Sequence, residues 1–388
     1  MRAKQRLSVA AVFPLIVLGY VLIQVYAVRQ AYVGLALPPH SIPILAAWVA
    51  LMTFALPLVW RLEHRDWHRL ATVVAWVGFG WMGWVFLYFW IALGLDVLGL
   101  AVSAAGAALH ADIAGSASAV SSFPFAAAVT SAVAVYGFLD ARRIRIERIR
   151  LRSPKRRPGS PPFRIALISD VHLGTIVGAR RLRRIVEWLH RIDADAVVST
   201  GDLVDGLEHR LRELAPLFDA LRPRAGKYAV TGNHEYYAGI DHALEFHRRA
   251  GFEVLSGTAV DIGSDIAIAG VDDPTGRRSP RGAATDELGA LQHVAPERFT
   301  ILLKHQPVVN ETAARRFDLQ LSGHVHRGQI FPFGLLVRAA YPVSTGLTAL
   351  GEGRWLYVSR GTGTWGPPIR VGAPPEIAVI DIEPEAAA

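Results

Sequence analysis

Five short stretches of this sequence end in residues that bind cations. In RIALISDVHLG (residues 164–174) an apolar run gives way to Asp170 and, two positions on, His172. Residues two apart in a strand share a face, so a strand running through them would project a carboxylate and an imidazole together. That pair suits zinc or a transition metal. VVSTGDLVDG (197–206) ends in Gly201, Asp202 and Asp205, and YAVTGNHEYY (228–237) in Gly232, Asn233, His234 and Glu235. ILLKHQP (301–307) ends in His305, and LQLSGHVHRGQ (319–329) in Gly323, His324 and His326. A lone D-x-H is what a solvated loop supplies by chance. Five apolar runs that each deliver metal-type ligands at the C-terminal end form a pattern. Ligands collect at that end of strands in open α/β sheets, and glycine lets the backbone approach closely.

The elements needed to position these residues are legible around them. Residues 179–191 and 209–221 place Leu, Ile or Trp at three-and-four spacing and predict helices, as do residues 244–250. Residues 266–271 read as a strand, with Asp272 and Asp273 closing a turn before Pro274. Gly361, Gly363, Trp365 and Gly366 predict a loop beside the site, and residues 377–382 a closing strand.

The ordered set D-x-H, G-D-x-x-D, G-N-H-E, a lone His and G-H-x-H resembles the calcineurin-like metallophosphoesterase superfamily. The likeness covers about residues 163–383. GNHEYYAG, LLKHQP, SGHVHRGQI and VSRGTGTWGPPIR look closest to its branch of transmembrane proteins with a metallophosphoesterase domain. The resemblance implies an αββα sandwich with two divalent ions (Mn, Fe or Zn) at one sheet edge. Asp170, His172, Asp202 and His326 would hold one ion; Asp202, Asn233, His305 and His324 would hold the other, with Asp202 bridging. It implies hydrolysis of a phosphate ester (diester, monoester or pyrophosphate) by a metal-bridging hydroxide. His234 would be the general acid, oriented by Asp205, and Asn233 would also touch substrate. Arg327 stands where relatives usually carry a second glycine, which bears on substrate contacts rather than on metal binding. A non-catalytic receptor or scaffold that keeps the fold is the competing class, and it would be expected to have lost ligands.

The rest of the chain is of another kind. Of the 388 residues, 52% are hydrophobic and mean hydropathy is +0.29, too apolar for one ordinary soluble domain. The excess lies in the first 140 residues, where residues 7–28, 41–60, 70–95 and 122–138 each approach the ~20 apolar residues of a bilayer crossing. The expected organisation is a four-helix transmembrane domain over 1–140, a basic juxtamembrane strand and linker over 141–162, and the α/β metallophosphoesterase domain over 163–388. The aromatic crowd Trp76, Trp81, Trp84, Tyr88 and Trp90 reads as interfacial anchoring and helix packing. The spans carry no buried Lys or Arg and no chain of carboxylates, which disfavours a transporter or proton pump. There is no cysteine, so disulfides and thiolate metal sites are excluded.

Lys and Arg follow the order 3, 1, 3, 0, 9 through the N-terminal tail, the three loops and residues 140–160. By the positive-inside rule both termini, and the catalytic domain, are expected on the cytoplasmic face of a multi-pass protein. Asp96, His110 and Asp112 argue against a fifth helix over 96–121. Residues 1–160 hold 16 Lys and Arg against 6 Asp and Glu, and the remainder 25 against 27. The net +8 therefore belongs to a membrane anchor with a basic collar, so membrane lipids are expected partners and a nucleic-acid duplex is not. The substrate is expected to be phosphorylated, with a lipid-linked ester among the candidates. RRIRIERIRLR (142–152) alternates apolar and basic residues with a one-residue slip and predicts an edge strand with a bulge.

Overall fold

The computed structural model describes residues 9–108 and 122–385. They divide into two units, Met1–Phe138 and Leu139–Ala388. The first is helical. Pro14–Gly34, His68–Ala108 and Phe123–Ala141 are long and apolar enough to cross a membrane, and a fourth span results if Pro39–Thr53 and Ala55–Glu63, bent by 56°, count as one. The break has a cause in Pro57. Its ring displaces the carbonyl four residues back, at Thr53, and it has no N–H to offer that carbonyl.

The helix that begins at His68 runs on to Ala108, well past the expected end near Leu95. At ~1.5 Å per residue its 41 residues reach about 60 Å, roughly twice the ~30 Å of a hydrocarbon core. Asp96 does not stop it, because its carboxylate accepts a hydrogen bond from the Tyr26 hydroxyl at 3.2 Å. His110 and Asp112 lie outside the described residues. Trp81 stacks on Trp84 and Trp84 on Tyr88, with ring centroids 5.6 and 5.2 Å apart, while Trp48 meets Trp81 edge-on. These rings pack helices together, and Trp81 Nε1 donates to buried Gln24 at 2.8 Å.

The second unit is a four-layer α/β/β/α sandwich. One sheet has the order β1-β12-β2-β3-β4-β5, where β1 is Arg145–Ser153, β2 Phe163–Ile168, β3 Ala196–Ser199, β4 Lys227–Ala229, β5 Glu253–Val254 and β12 Glu376–Pro384. The other has the order β10-β11-β9-β8-β7-β6, where β6 is Thr258–Ile262, β7 Ile266–Gly270, β8 Phe299–Leu303, β9 Leu319–Ser322, β10 Gly346–Gly351 and β11 Arg354–Val358. Ile165, Leu167, Val198, Ile268, Ile301, Leu321 and Ile380 fill the space between the sheets. Strands β3, β7, β8 and β9 are buried on both faces, as parallel strands covered by helices must be. The helix Ala179–Ile192 covers the outer face of the first sheet through Leu182, Ile185 and Leu189.

Three expectations need correction. The sheet starts at Arg145, not Phe163, because β1 pairs in parallel with β12 along its whole length. Nor does β1 contain a bulge, since that register is unbroken. The slip in the apolar pattern moves burial from one face to the other. Ile144 and Ile146 pack with the outer helices, whereas Ile149 and Leu151 pack between the sheets. The helix expected over 209–221 is two short ones, Glu208–Arg212 and Ala215–Asp219, the second opening on Pro216, which fits a helix start and not its middle.

Candidate metal centre

All five expected motifs meet at one edge of the sandwich, beyond the C-terminal ends of β2, β3, β4, β8 and β9. They converge by a route the strand argument did not foresee. β2 ends at Ile168, so Asp170 and His172 lie past it, and their convergence is a property of the loop. Asp170, His172, Asp202, His324 and His326, five of the seven expected ligands, have φ between +47° and +73°. Left-handed backbone costs a non-glycine residue ~1–2 kcal/mol, and such strain gathers at functional sites. Loop-to-loop hydrogen bonds hold it: Asp170 N–H donates to Gly201 O and His172 N–H to Asp202 O, both at 3.0 Å. Gly232 is required by proximity, since a Cβ there would lie 2.2 Å from Asp202 Oδ1.

Two groups of ligand atoms result. Asp170, His172 and His326 form one, with His172 Nε2 and His326 Nε2 3.1 Å apart and Asp170 Oδ1 3.4 Å from His326 Nε2. Asp202, His305 and His324 form the other. There Asn233 Oδ1 lies 3.2 Å from His305 Nε2 and 3.0 Å from His324 Nδ1. Asp202 Oδ2 is 3.2 Å from His305 Nε2 and 3.9 Å from His172 Nε2, so one carboxylate oxygen reaches both groups. His305 Nδ1 faces Thr200 O at 2.7 Å and donates to it, which turns Nε2 toward the cluster as a metal-ligating imidazole requires. Lone pairs of nitrogen and oxygen crowd together here, and that donor set fits borderline divalent cations.

The electrostatics agree. Burial and the neighbouring His305 lower the His324 pKa to about 4, keeping that ring neutral and its lone pair free. Burial, reinforced by Arg370, holds His326 well below its ordinary value. Burial alone would lower His305 too, but the Asp202 charge outweighs it and raises the pKa to about 10. A cation between them would take that proton's place.

His234 lies beside the first group, its ring centroid 4.7 Å from that of His172. Its Nδ1 is 2.8 Å from Asp205 Oδ1. Burial disfavours the charged ring, yet the hydrogen bond and charge of Asp205 raise its pKa to about 9. Asp205 is correspondingly lowered to about 2 against the effect of burial, by the neighbouring His172 ring, 3.6 Å away, and by the hydrogen bond from His234. His172, Asp205 and His234 also lie close enough to hold a cation, and the His234–Asp205 bond occupies Nδ1 of His234. The backbone N–H of His234 donates to Asp202 Oδ1 at 2.9 Å, which ties the pair to the metal groups. Asp272 and Asp273 do not join the site. Asp272 accepts from Thr231, Ser256 and Ala284, and Asp273 caps the turn at Thr275.

The roles of Glu235, Arg370, Gln329 and Tyr237 went unforeseen. Glu235, fully buried, accepts from the backbone N–H groups of Asp202, Leu203, Val204 and Gly232, and so clamps two ligand loops together. Its place in GNHE was the available signal. Arg370, also fully buried, faces His326 Nδ1 at 3.0 Å and donates to the carbonyls of Arg360, Gly363 and Ala373. Gln329 binds the backbone of Trp365 from both sides, N–H and C=O. Tyr237 and Trp365, both exposed, meet the His234 ring edge-on at 5.3 and 5.6 Å. Arg327 follows the last ligand with φ +52°, and its guanidinium has no partner among the described residues.

Residues 163–328 match the calcineurin-like phosphoesterase family. An Aquifex aeolicus protein named "uncharacterized metallophosphoesterase" is 39% identical over 249 residues, which is 64% of this chain and 95% of that protein. The chain is a calcineurin-like metallophosphoesterase. Two vertebrate relatives carry the name "transmembrane protein with metallophosphoesterase domain". The Danio rerio protein is 35% identical, covering 65% of this chain and 60% of its own length; the Bos taurus protein is 33% identical, covering 66% and 61%. The chain thus spans about three-fifths of these two relatives. Apolar helices and transmembrane-named relatives together mark this metallophosphoesterase as a membrane protein.

Proposed function

We propose that this metallophosphoesterase is an active, membrane-anchored hydrolase of a phosphate ester that uses two divalent ions. Asp170, His172, Asp202 and His326 would hold one ion, and Asp202, Asn233, His305 and His324 the other. The observation that carries the reading is the position of Asp202 Oδ2 within reach of both ligand groups, as a bridging carboxylate must be. Bound there, the ions would polarise a phosphoryl oxygen and acidify a water. The chain's own contribution is proton delivery: His234, kept charged by Asp205, protonates the departing alkoxide. Tyr237 and Trp365 flank that proton, so the leaving group would lie against aromatic faces. Asn233 and Arg327 would steady the phosphate, Arg327 through its unpartnered guanidinium. No ligand position of the family is lost, which weighs against a scaffold.

The alternation of Lys and Arg supports a catalytic domain on the cytoplasmic face of a multi-pass protein. Residues 142–144 are all that separate the helix Phe123–Ala141 from β1. At ~3.3–3.6 Å per residue, such a short connection favours a substrate met at a membrane, a lipid-linked phosphate or diphosphate. The test is turnover by the full-length protein, loaded with Mn, Fe or Zn, on soluble diesters, monoesters and pyrophosphates and on phospholipid substrates in mixed micelles. Metal-dependent hydrolysis of one ester class supports the reading. Metal binding without turnover of any would return the chain to the scaffold class. A reporter at Ala388 that is active only outside the cytoplasmic membrane should stay dark; activity there would reverse the sidedness.

A further inference from the structure

The mouth of the metal cleft is apolar, and the chain enters the catalytic unit at that same edge. Nine large hydrophobic side chains are exposed between Arg142 and Pro384 among the described residues. Six of them, Tyr237, Phe331, Phe333, Leu335, Leu336 and Trp365, lie on segments that carry or cover the ligand groups. The helix Phe333–Ala340 follows the last ligand turn directly and has no fully buried residue. It is nevertheless fixed in place. Val337 packs with Val325, Leu356 and Val358, and the backbone of Gly334 lies so close to that of Gly328 that a Cβ on the latter would come within 2.3 Å of Gly334 N. Tyr341, just after it, meets the His324 ring at 5.8 Å. The Trp365 loop is clipped to the same turn by Gln329, and Phe331 N–H donates to Val371 O. A rigid helix that turns Phe333, Leu335 and Leu336 to solvent is not a piece of core, and exposed apolar patches of this kind mark interaction surfaces.

The registers show which edge receives the chain. β12 runs antiparallel to β2 with Ala378 opposite Leu167, so Glu376 lies level with the end of β2 that leads to Asp170. β1 is parallel to β12 with Arg145 opposite Glu376. The first residue of β1 therefore sits at the metal edge of the sheet, four positions after the last residue of a helix apolar enough to cross a membrane. Buried Asp140, in that helix's last turn, pairs with Arg145 at 2.9 Å. Basic residues line the same end: Arg143 is exposed, as are Arg180, Arg183 and Arg184 at the start of the helix Ala179–Ile192, and Arg184 donates to Arg142 O at 3.1 Å.

We propose that the apolar rim formed by Phe331, the helix Phe333–Ala340 and Trp365 is a docking surface for an anionic phospholipid bilayer, so that the metal cleft opens onto the membrane. Apolar side chains at the headgroup boundary beside a cluster of arginines are what interfacial segments present to such a surface. This inference rests on the reading of the site as a phosphoesterase only for its purpose, since it names where the ester would be met. Docking itself needs no catalysis.

The absence of cysteine makes the test direct. Phe333→Cys, Leu335→Cys and Leu336→Cys each supply a sole thiol at an exposed position of the full-length chain. Ser264→Cys, in the exposed turn before β7 at the opposite edge of the sheets, is the reference. Each is spin-labelled and reconstituted singly in nanodiscs of phosphatidylcholine with phosphatidylglycerol. Collision rates with oxygen, which partitions into lipid, are compared with those of a water-soluble nickel chelate. The rim labels are expected to favour oxygen over nickel several-fold more than the Ser264→Cys label does. Rim labels as open to nickel as that reference would overturn the proposal. Shielding that appears only as protein concentration rises would assign the rim to a second copy and overturn it equally. The readout is independent of turnover: an immersed rim on a chain that hydrolyses nothing would sink the proposed activity alone, and active protein with a wet rim would sink the docking alone.

Discussion

The floor of the metal cleft and its rim lie next to each other and are built from opposite materials. On the floor, Asp170, Asp202 and His326 are buried polar groups on strained backbone, and these three and buried His305 are each held by hydrogen bonds. On the rim, Phe333, Leu335 and Leu336 are exposed apolar groups on a helix none of whose residues is fully buried. Burying a polar group is costly unless it is satisfied, and exposing a large apolar one is costly unless something covers it. The floor meets its cost inside the chain, through Glu235, Thr200 and Arg370. The rim leaves its cost open. The floor thus fixes a chemistry, whereas the rim fixes where that chemistry is applied.

The comparison breaks first at Asp202. If one carboxylate serves both ligand groups, Asp202→Asn removes metal and activity together, measured by elemental analysis and by hydrolysis of a soluble diester. A variant that keeps both would end the bridging assignment. Next comes His234→Ala, which should retain its metal and lose roughly 10²–10⁴ in rate on alkyl esters. With a nitrophenyl ester, whose leaving group needs no proton, the loss should shrink. An equal loss on both esters would remove His234 from the role of acid.

Arg370 joins floor to rim, because its guanidinium contacts His326 and the carbonyls of the segment that bears Trp365. Arg370→Met leaves those buried acceptors unpaired and should cost ~3 kcal/mol, read as a lower unfolding midpoint of the detergent-solubilised protein. An unchanged midpoint would mean the two parts are held independently. The smallest effect is expected at Arg327, whose guanidinium has no partner among the described residues and is proposed to steady the phosphate. Arg327→Ala should raise KM by about tenfold, the worth of one charge-assisted hydrogen bond, with little change in kcat.

Most of the floor was legible in the sequence, because ligand chemistry is carried by residue type and by position after an apolar run. Asp170, Asn233, His305 and the rest could be named without knowing the backbone that aims them. The left-handed φ values of Asp170 and His172 were not legible, since nothing local demands them; they depend on Gly201 and Asp202 in another loop. Glu235 and Arg370 were hidden for the same reason, as their partners are backbone groups that only the assembled fold supplies. The rim was hidden differently. Nothing in FGLLVRAA marks it as surface, and only the structure shows Phe333, Leu335 and Leu336 exposed. The face-switch in β1 was misread as a bulge because apolar spacing reports burial without saying on which side.

The central claim is that the floor is a two-ion hydrolytic site. The most direct measurement strips the full-length protein of metal and titrates it with Mn while bound ion and hydrolysis of a soluble phosphate ester are followed together. Activity is expected to appear as the second ion binds each chain and to be lost again on chelation. Full activity at one ion per chain, or two ions bound with no hydrolysis of diester, monoester or pyrophosphate, would contradict it.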